Sequence, residues 1–182
     1  MKQKPRIRQV SEIARSRLFR IEQLDLEFSN GSEASFERIR ANAGRAVMVA
    51  AITDQQEILL VSEYAAGTER YELQLPKGIV EHGEISADAA NRELAEETGF
   101  AATEVQLIHT LRVSPGYFQH ETDVMLARGL YPKQIQTGDE PEPPDLHRFP
   151  LSDVDTLLKR EDFSEARSIA ALLMVLRMLD LS

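Results

Sequence analysis

Cysteine is absent from the 182 residues, which excludes a disulfide framework, a thiolate metal site and a cysteine nucleophile. Long hydrophobic runs are missing too. The longest apolar stretch, residues 169–176, sits within a helical pattern and falls well short of the roughly 18 residues of a membrane span. Positive charge is in the minority, with 21 Lys and Arg against 30 Asp and Glu and a net charge of -9. Such a surface repels phosphate backbones, so neither nucleic acid nor an anionic membrane is expected as a partner. The basic start, Met1 to Arg6, runs into no apolar stretch, so no secretory signal is expected and the cytoplasm is the expected compartment. Internal repeats and low-complexity blocks are also lacking. His82, His109, His120 and His147 show no metal-ligand or triad spacing. What remains is a composition of 42% hydrophobic and 28% charged residues, typical of a globular chain and sufficient for one domain.

Alternation marks the first structural element. Leu24, Leu26 and Phe28 alternate with charged residues, Asn30-Gly31 offers a turn tolerant of positive φ, and Phe36, Arg38 and Arg40 resume the period of two. Ala46 to Ile52 is nearly all apolar, as expected of a strand covered on both faces. Further strands are expected over Ile58 to Tyr64, Tyr71 to Leu75, Val105 to Val113 and Thr122 to Ala127. Between them one helix is expected over residues 87–98, with Ser86 as N-cap, Gly99 as left-handed C-cap, and Ala87, Ala90 and Leu94 as its apolar stripe. Tyr131 to Asp145 reads as a long polar, Pro-rich loop. Asp162 with Glu165 forms a capping-box pattern that opens a C-terminal helix, whose Ile169, Leu172, Leu173, Leu176 and Leu179 are placed to pack on the sheet. Strands interrupted by one helix, with helices at the end, give an α/β chain with a mixed sheet.

Chemistry concentrates in residues 78–100. At about 100° per residue, Glu93, Glu96 and Glu97 share one helical face, with Cβ atoms about 5–6 Å apart. Carboxylates this close repel one another unless a divalent cation joins them. Hard oxygen donors without matching His or Cys favour Mg²⁺ or Mn²⁺ over Zn²⁺. Arg92 stands one turn before Glu96 and can hold its carboxylate, and Glu84 is a second candidate partner for Arg92. Gly78 lets the loop backbone approach the cation, which makes the Lys77 carbonyl a further candidate ligand.

The whole segment resembles the Nudix box. Gly78, Glu84, Arg92, Glu93, Leu94, Glu96, Glu97, Gly99 and Phe100 fill every position of that pattern. A random chain of this length would match it with a probability on the order of 10⁻⁷. The resemblance implies an α/β/α sandwich with a mixed β-sheet, carrying an N-terminal β-hairpin extension. It covers a single domain over residues 1–182, with residues 1–44 as the extension and a dimerisation element. It implies an enzyme that hydrolyses nucleoside diphosphates linked to another moiety. Glu93 and Glu97 are then the primary metal ligands, assisted by Glu96 and the Lys77 carbonyl, while Gly78, Glu84, Arg92 and Gly99 are structural. Mg²⁺ is the implied cofactor, with Mn²⁺ as the alternative.

Beyond the box the chain is similar to the ADP-ribose pyrophosphatase branch. Pro115, within Ser114-Pro115-Gly116-Tyr117, stands where that branch places a loop lining the terminal-ribose site, and Glu121 matches an acidic residue after it. Ala14 to Phe19, Leu26 to Gly31, Glu63 to Glu69 and Gly138 to Pro143 are similar to bacterial hydrolases of ADP compounds. The last lies in the polar loop, so the resemblance implies Glu140 as candidate general base and Glu142 as candidate metal ligand. It also implies substrate contacts from Arg38, Arg45, Ile79, Ser114, Pro115, Gly116 and Glu121, and a homodimer. The expected activity is cleavage of the pyrophosphate of ADP-ribose, NADH or diadenosine oligophosphates with release of AMP. Two departures broaden the substrate range: Gln74 stands where the branch carries a Glu, and Ala65 where it carries an Arg. A dinucleoside-polyphosphate or nucleoside-triphosphate hydrolase, and a non-catalytic nucleotide-sensing module, are the competing readings.

Overall fold

The structure is a computed structural model that describes residues 2–135 and 142–180, without the side chains of 41–43. In chain order the strands are β1 (Arg6–Arg15), β2 (Arg20–Glu27), β3 (Glu33–Ala51), β4 (Glu57–Ala65), β5 (Arg70–Gln74) and β6 (Lys77–Ile79). After helix α1 (Ser86–Thr98) come β7 (Phe100–Arg112), β8 (Phe118–Pro132) and β9 (Asp145–Pro150). A 3-10 turn (Leu151–Asp153), the short helix α2 (Val154–Leu157) and α3 (Ala166–Met178) complete the described chain. The architecture is α/β with a mixed sheet, as the sequence predicts. Contacts divide it into two compact units. One holds the chain up to Gly44 together with Arg112–Glu121, the other Arg45–Leu111 and the chain from Thr122 onward.

In the first unit β2 pairs antiparallel with the start of β3, setting Leu24 opposite Phe36 and Ile21 opposite Ile39. The expected turn forms at Gly31, with φ 82, and Asn30 Oδ1 accepts from the Ser32 N–H at 3.1 Å. Strand β1 adds to β2 as an edge that alternation does not reveal. Its apolar residues Ile7, Val10 and Ile13 fall three apart because the register shifts between Ile7 and Gln9 and again between Glu12 and Ala14. Each shift reverses the side-chain phase and erases the period of two. The hairpin strand and the apolar run are one continuous strand, β3, rather than two.

The second unit shows why the apolar run needs both faces covered. Val47, Val49 and Ala51 pack with Ala89, Ala90 and Leu94 of α1, whereas Met48, Ala50 and Ile52 pack with Ala171, Leu172 and Val175 of α3. β8 divides in the same way, sending Met125 and Ala127 toward α1 and Val124 and Leu126 toward α3. Period-two alternation thus places one helix on each side of the strands. A short antiparallel ladder joins β6 to β3, pairing Val47 with Gly78 and Met48 with Lys77. β4 lies between β5 and β9 in a separate antiparallel sheet.

Several local expectations are corrected. Ser86 is the first residue of α1, and Ile85 is its cap. The Ser86 hydroxyl instead donates to Asp123 Oδ2 at 2.7 Å. At α3 the cap is Glu165 alone, whose Oε2 accepts from the Ser168 N–H at 2.7 Å. Ala90 and Leu94 are buried on α1 as expected and Ala87 packs half-buried against the same cluster, while the buried Ala89 and Ala95 widen the stripe. Leu173 is 46% exposed, and Ala171 and Val175 are buried in its stead. β7 and β8 both run longer than expected, and β9 begins at Asp145, the last residue of the stretch read as loop, and runs on to Pro150. Gly99 caps α1 in the left-handed conformation at φ 73, as predicted.

Candidate active site

The loop that leads into α1 is built around a close approach. A β-carbon at Gly78 would meet the Glu93 carboxyl carbon at 2.0 Å and both its oxygens within 2.2 Å. Real atoms cannot overlap so far, so any side chain at this position would have to displace the Glu93 carboxylate. Both halves of the site follow from pairing and pitch: β6 is fixed on β3, and the helical rise sets Glu93, Glu96 and Glu97 on successive turns facing it.

Arg92 organises these acids. Its Nη1 donates to Glu93 Oε1 at 2.8 Å and to Glu96 Oε2 at 3.0 Å. Nε and Nη2 each donate to the Glu84 carboxylate at 3.1 Å, and Nη2 also donates to the Ile79 carbonyl at 2.8 Å. A guanidinium carries five N–H donors in a planar fork, which suits it to join three carboxylates and a loop carbonyl. Glu84 also accepts from the Glu81 N–H at 3.1 Å. Hydrogen bonding to Arg92 holds the Glu84 carboxyl below its ordinary range. The Arg92 guanidinium, bonded first of all to Glu84, is driven further toward its charged form.

The deeper acids behave in the opposite sense. Burial pushes Glu93 up, against the pull of Arg92. Glu97 is 9% exposed, and burial, followed by the nearby charge of Glu63, pushes its carboxyl up to about 9. Its Oε2 accepts from the Lys77 backbone N–H at 3.2 Å. The Lys77 ammonium meets Glu63 Oε2 at 2.8 Å, and the Gln74 side-chain amide donates to that same oxygen.

Lys77, Gly78, Ile79, Glu84, Arg92, Glu93, Glu96 and Glu97 are therefore brought together. Among the described residues, no group of three or more His, Asp or Glu side chains is arranged to hold a metal ion. The reason is visible in the bonds. Arg92 draws Glu93 and Glu96 to itself, and Glu97 is directed at the Lys77 N–H. The donor chemistry nevertheless fits a hard divalent cation, since burial disfavours charge on Glu93 and Glu97 unless a cation compensates it. The glycine cradle keeps the Glu93 carboxylate directly against the loop backbone.

Other predicted residues lie elsewhere. Arg45 Nη1 donates to Asp123 Oδ2 at 3.1 Å, where Ser86 also donates, while Thr110 donates to Oδ1 at 2.7 Å. Burial raises the cost of charge on Asp123, but these donors hold its carboxyl below the ordinary range. Glu142 Oε2 accepts from the Tyr71 hydroxyl at 2.8 Å. Glu140 lies outside the described residues. In the first unit, Arg38 Nε and Nη2 both donate to Glu22 Oε2, at 2.9 and 2.8 Å. Ser114, Pro115 and Gly116 form a turn there in which the Ser114 carbonyl accepts from the Tyr117 and Phe118 N–H groups, with Ser114 at φ 47. Glu121 is paired with Arg112.

Sequence reasoning assigned no role to Glu63 or Asp123. Asp123 is the one charge in the otherwise uncharged strand Thr122 to Ala127, a usable signal. Glu63 has no such mark, because only strand pairing shows that it meets Gln74 and Lys77.

Carboxylates folded against a glycine and drawn onto one arginine, on a helix covering a mixed sheet, are the arrangement that the Nudix resemblance implies for a hydrolase of linked nucleoside diphosphates. The chain belongs to the Nudix family and is a Nudix pyrophosphohydrolase. The NUDIX domain model matches residues 42–172, and the NudE-type Nudix hydrolase N-terminal domain matches residues 5–38. The chain is 46% identical to the ADP compounds hydrolase NudE of Escherichia coli K12 over 95% of its own length and 92% of that protein. It is 32% identical to the ADP-ribose pyrophosphatase of Bacillus subtilis 168, covering 81% of this chain and 80% of that one. A solved structure described as "Crystal structure of ADP compounds hydrolase" superposes with a TM-score of 0.91 at 44% identity, covering 99% of this chain and 96% of that chain.

Proposed function

We propose that the protein cleaves the pyrophosphate of ADP-linked compounds (ADP-ribose, NADH and diadenosine oligophosphates) and releases AMP, with Mg²⁺ as its cation and Mn²⁺ as a substitute. The observation that carries this reading is the packing of the Glu93 carboxylate on Gly78 beside the buried Glu97. The substrate class is supported by the relatives whose names specify ADP compounds and ADP-ribose.

Glu93 and Glu97 would hold the cation, with Glu96, Glu142 and the Lys77 carbonyl assisting. A divalent cation bound there supplies charge neutralisation to the diphosphate and acidifies an attacking water. Arg92 keeps three carboxylates in place without entering the reaction, and Glu84 anchors Arg92 from outside the helix. Glu140 is the proposed general base. Ile79, Arg38, Arg45, the Ser114 to Gly116 turn and Glu121 are proposed substrate contacts.

We read residues 1–182 as one Nudix domain with residues 1–44 as its extension, and the protein as a cytoplasmic homodimer. Ile7, Val10, Ile13 and Phe36 in the first unit are each 46–47% exposed, which supports a covering partner for these strands. Among the described residues no helix is long and apolar enough to cross a membrane.

The deciding experiment is mass spectrometry of the products formed in ¹⁸O-labelled water from ADP-ribose, NADH, diadenosine triphosphate and the common nucleoside triphosphates. Label in AMP or in its partner phosphate identifies the phosphorus attacked. Turnover confined to nucleoside triphosphates would refute the ADP-linked reading, and ligand binding without product would indicate a sensing module.

A further inference from the structure

Tyr64 and Tyr71 face each other directly across β4 and β5. Their rings meet edge to face, with centroids 5.7 Å apart at 69°. Both remain more than half exposed, at 58% and 53%. An aromatic cross-strand pair stabilises a hairpin, but that alone does not account for what surrounds this one. The rings stand at an open cavity of about 400 Å³ bounded by Ser62 to Tyr64, Tyr71 and Glu142 to Asp145. That volume lies within the range of small-ligand sites, about 300–1,000 Å³.

The lining sets the chemistry of an occupant. Tyr64, Tyr71, Pro143 and Pro144 contribute rings to a lining that is otherwise polar. Glu63 and Asp145 supply acceptors only, while Glu142, a proposed cation ligand, here accepts from the Tyr71 hydroxyl at 2.8 Å. Carboxylates repel phosphate, yet they accept from ribose hydroxyls and from the N–H groups of a carboxamide or an exocyclic amine. Position completes the argument. Glu63 lines the cavity and binds the Lys77 ammonium at 2.8 Å, while the Lys77 N–H bonds to Glu97 at 3.2 Å. The cavity is therefore joined to the acidic helix through Lys77.

We propose that this cavity is a subsite for a nucleoside, the ring-bearing half of a substrate that lies beyond the cleaved diphosphate, with Tyr64 stacking on the ring. The proposal rests on the reading that the enzyme cleaves ADP-linked compounds. It deepens that reading by favouring substrates such as NADH and diadenosine triphosphate, whose second half carries a ring, over ADP-ribose, whose second half does not.

The test compares wild type, Tyr64→Ala and Tyr64→Phe. Stacking of a base on an aromatic side chain is commonly worth a factor of about ten or more in affinity. Tyr64→Ala is expected to raise KM for NADH and diadenosine triphosphate about tenfold more than KM for ADP-ribose, and Tyr64→Phe to restore it. In parallel, saturation-transfer NMR is recorded with nicotinamide mononucleotide and with ribose 5-phosphate, which share the phosphate but not the ring. Ring protons of the mononucleotide should receive saturation in wild type and lose it in Tyr64→Ala. Equal KM changes for all three substrates, or ring saturation that persists in Tyr64→Ala, would overturn the subsite. Failure of wild type to hydrolyse any of the three would instead sink the enzymatic reading, and the NMR comparison would decide the ring site separately.

Discussion

The Glu93 carboxylate rests on the α-carbon of Gly78, so closely that a β-carbon would sit 2.0 Å from its carboxyl carbon. One residue without a side chain thus lies directly against a proposed ligand on the facing helix α1. Gly78→Ala must push Glu93 off the loop while leaving β6 paired to β3. Misplacing a catalytic group by about 1 Å can cost on the order of 100-fold. Hydrolysis of ADP-ribose by Gly78→Ala should fall by that order, with the circular dichroism spectrum retained. Steady-state kinetics beside the spectrum check this.

Arg92 is predicted to be a stability residue as much as a site residue. Its side chain is 24% exposed and bonds three carboxylates. Removing one partner of a buried ion pair leaves charge uncompensated and costs about 3–5 kcal/mol. With partial exposure here, Arg92→Ala should lose stability toward the lower end, about 3 kcal/mol, in urea unfolding of the metal-free protein. Added Mg²⁺ should recover part of the loss, because the freed carboxylates become available to the cation. A variant as stable as wild type without Mg²⁺ would show that the arginine only decorates the helix.

The legibility of this chain follows physical lines. The box was readable because a helical pitch and a glycine leave fixed spacings in the sequence, and the apolar run of β3 announced a strand covered on both faces, which α1 and α3 supply. β1 was not readable, since its bulges break the alternation that announces a strand. β9 was hidden because its residues are almost all exposed and its strand form comes from pairing with β4, a contact distant in sequence. Ser86 shows a different limit. A serine at a helix start ordinarily caps it, but here Asp123 competes for the hydroxyl from another strand and wins. Glu63 likewise takes on meaning only from partners that tertiary pairing delivers.

Glu97→Gln separates chemistry from architecture. The substitution keeps an oxygen able to accept from the Lys77 N–H, so the fold should survive, while one proposed cation ligand loses its charge. Turnover of ADP-ribose should drop by about 10²–10³-fold, the scale of removing one electrostatic contributor at a reacting centre. Calorimetric titration with MnCl₂ should show weakened uptake. Normal turnover in this variant would place the reaction elsewhere.

Asp123 gives a pH prediction with a definite sign. Its carboxyl is 1% exposed. Burial opposes ionisation, but donors from Ser86, Thr110 and Arg45 outweigh it and hold the group below its ordinary value of 3.8. The folded state therefore favours the ionised form more strongly than the unfolded chain does. The resulting stability is fully present above the unfolded value and is lost as pH falls through the lower folded value. Asp123→Asn removes the charge at every pH and leaves Arg45 without its carboxylate partner at this position. The stability gap between wild type and variant should be widest near neutral pH and should narrow steadily below about pH 4. Urea unfolding across that range measures it. A gap that stayed constant with pH would mean that Asp123 acts through shape and hydrogen bonding alone, and that its charge contributes nothing to holding Ser86 and Arg45.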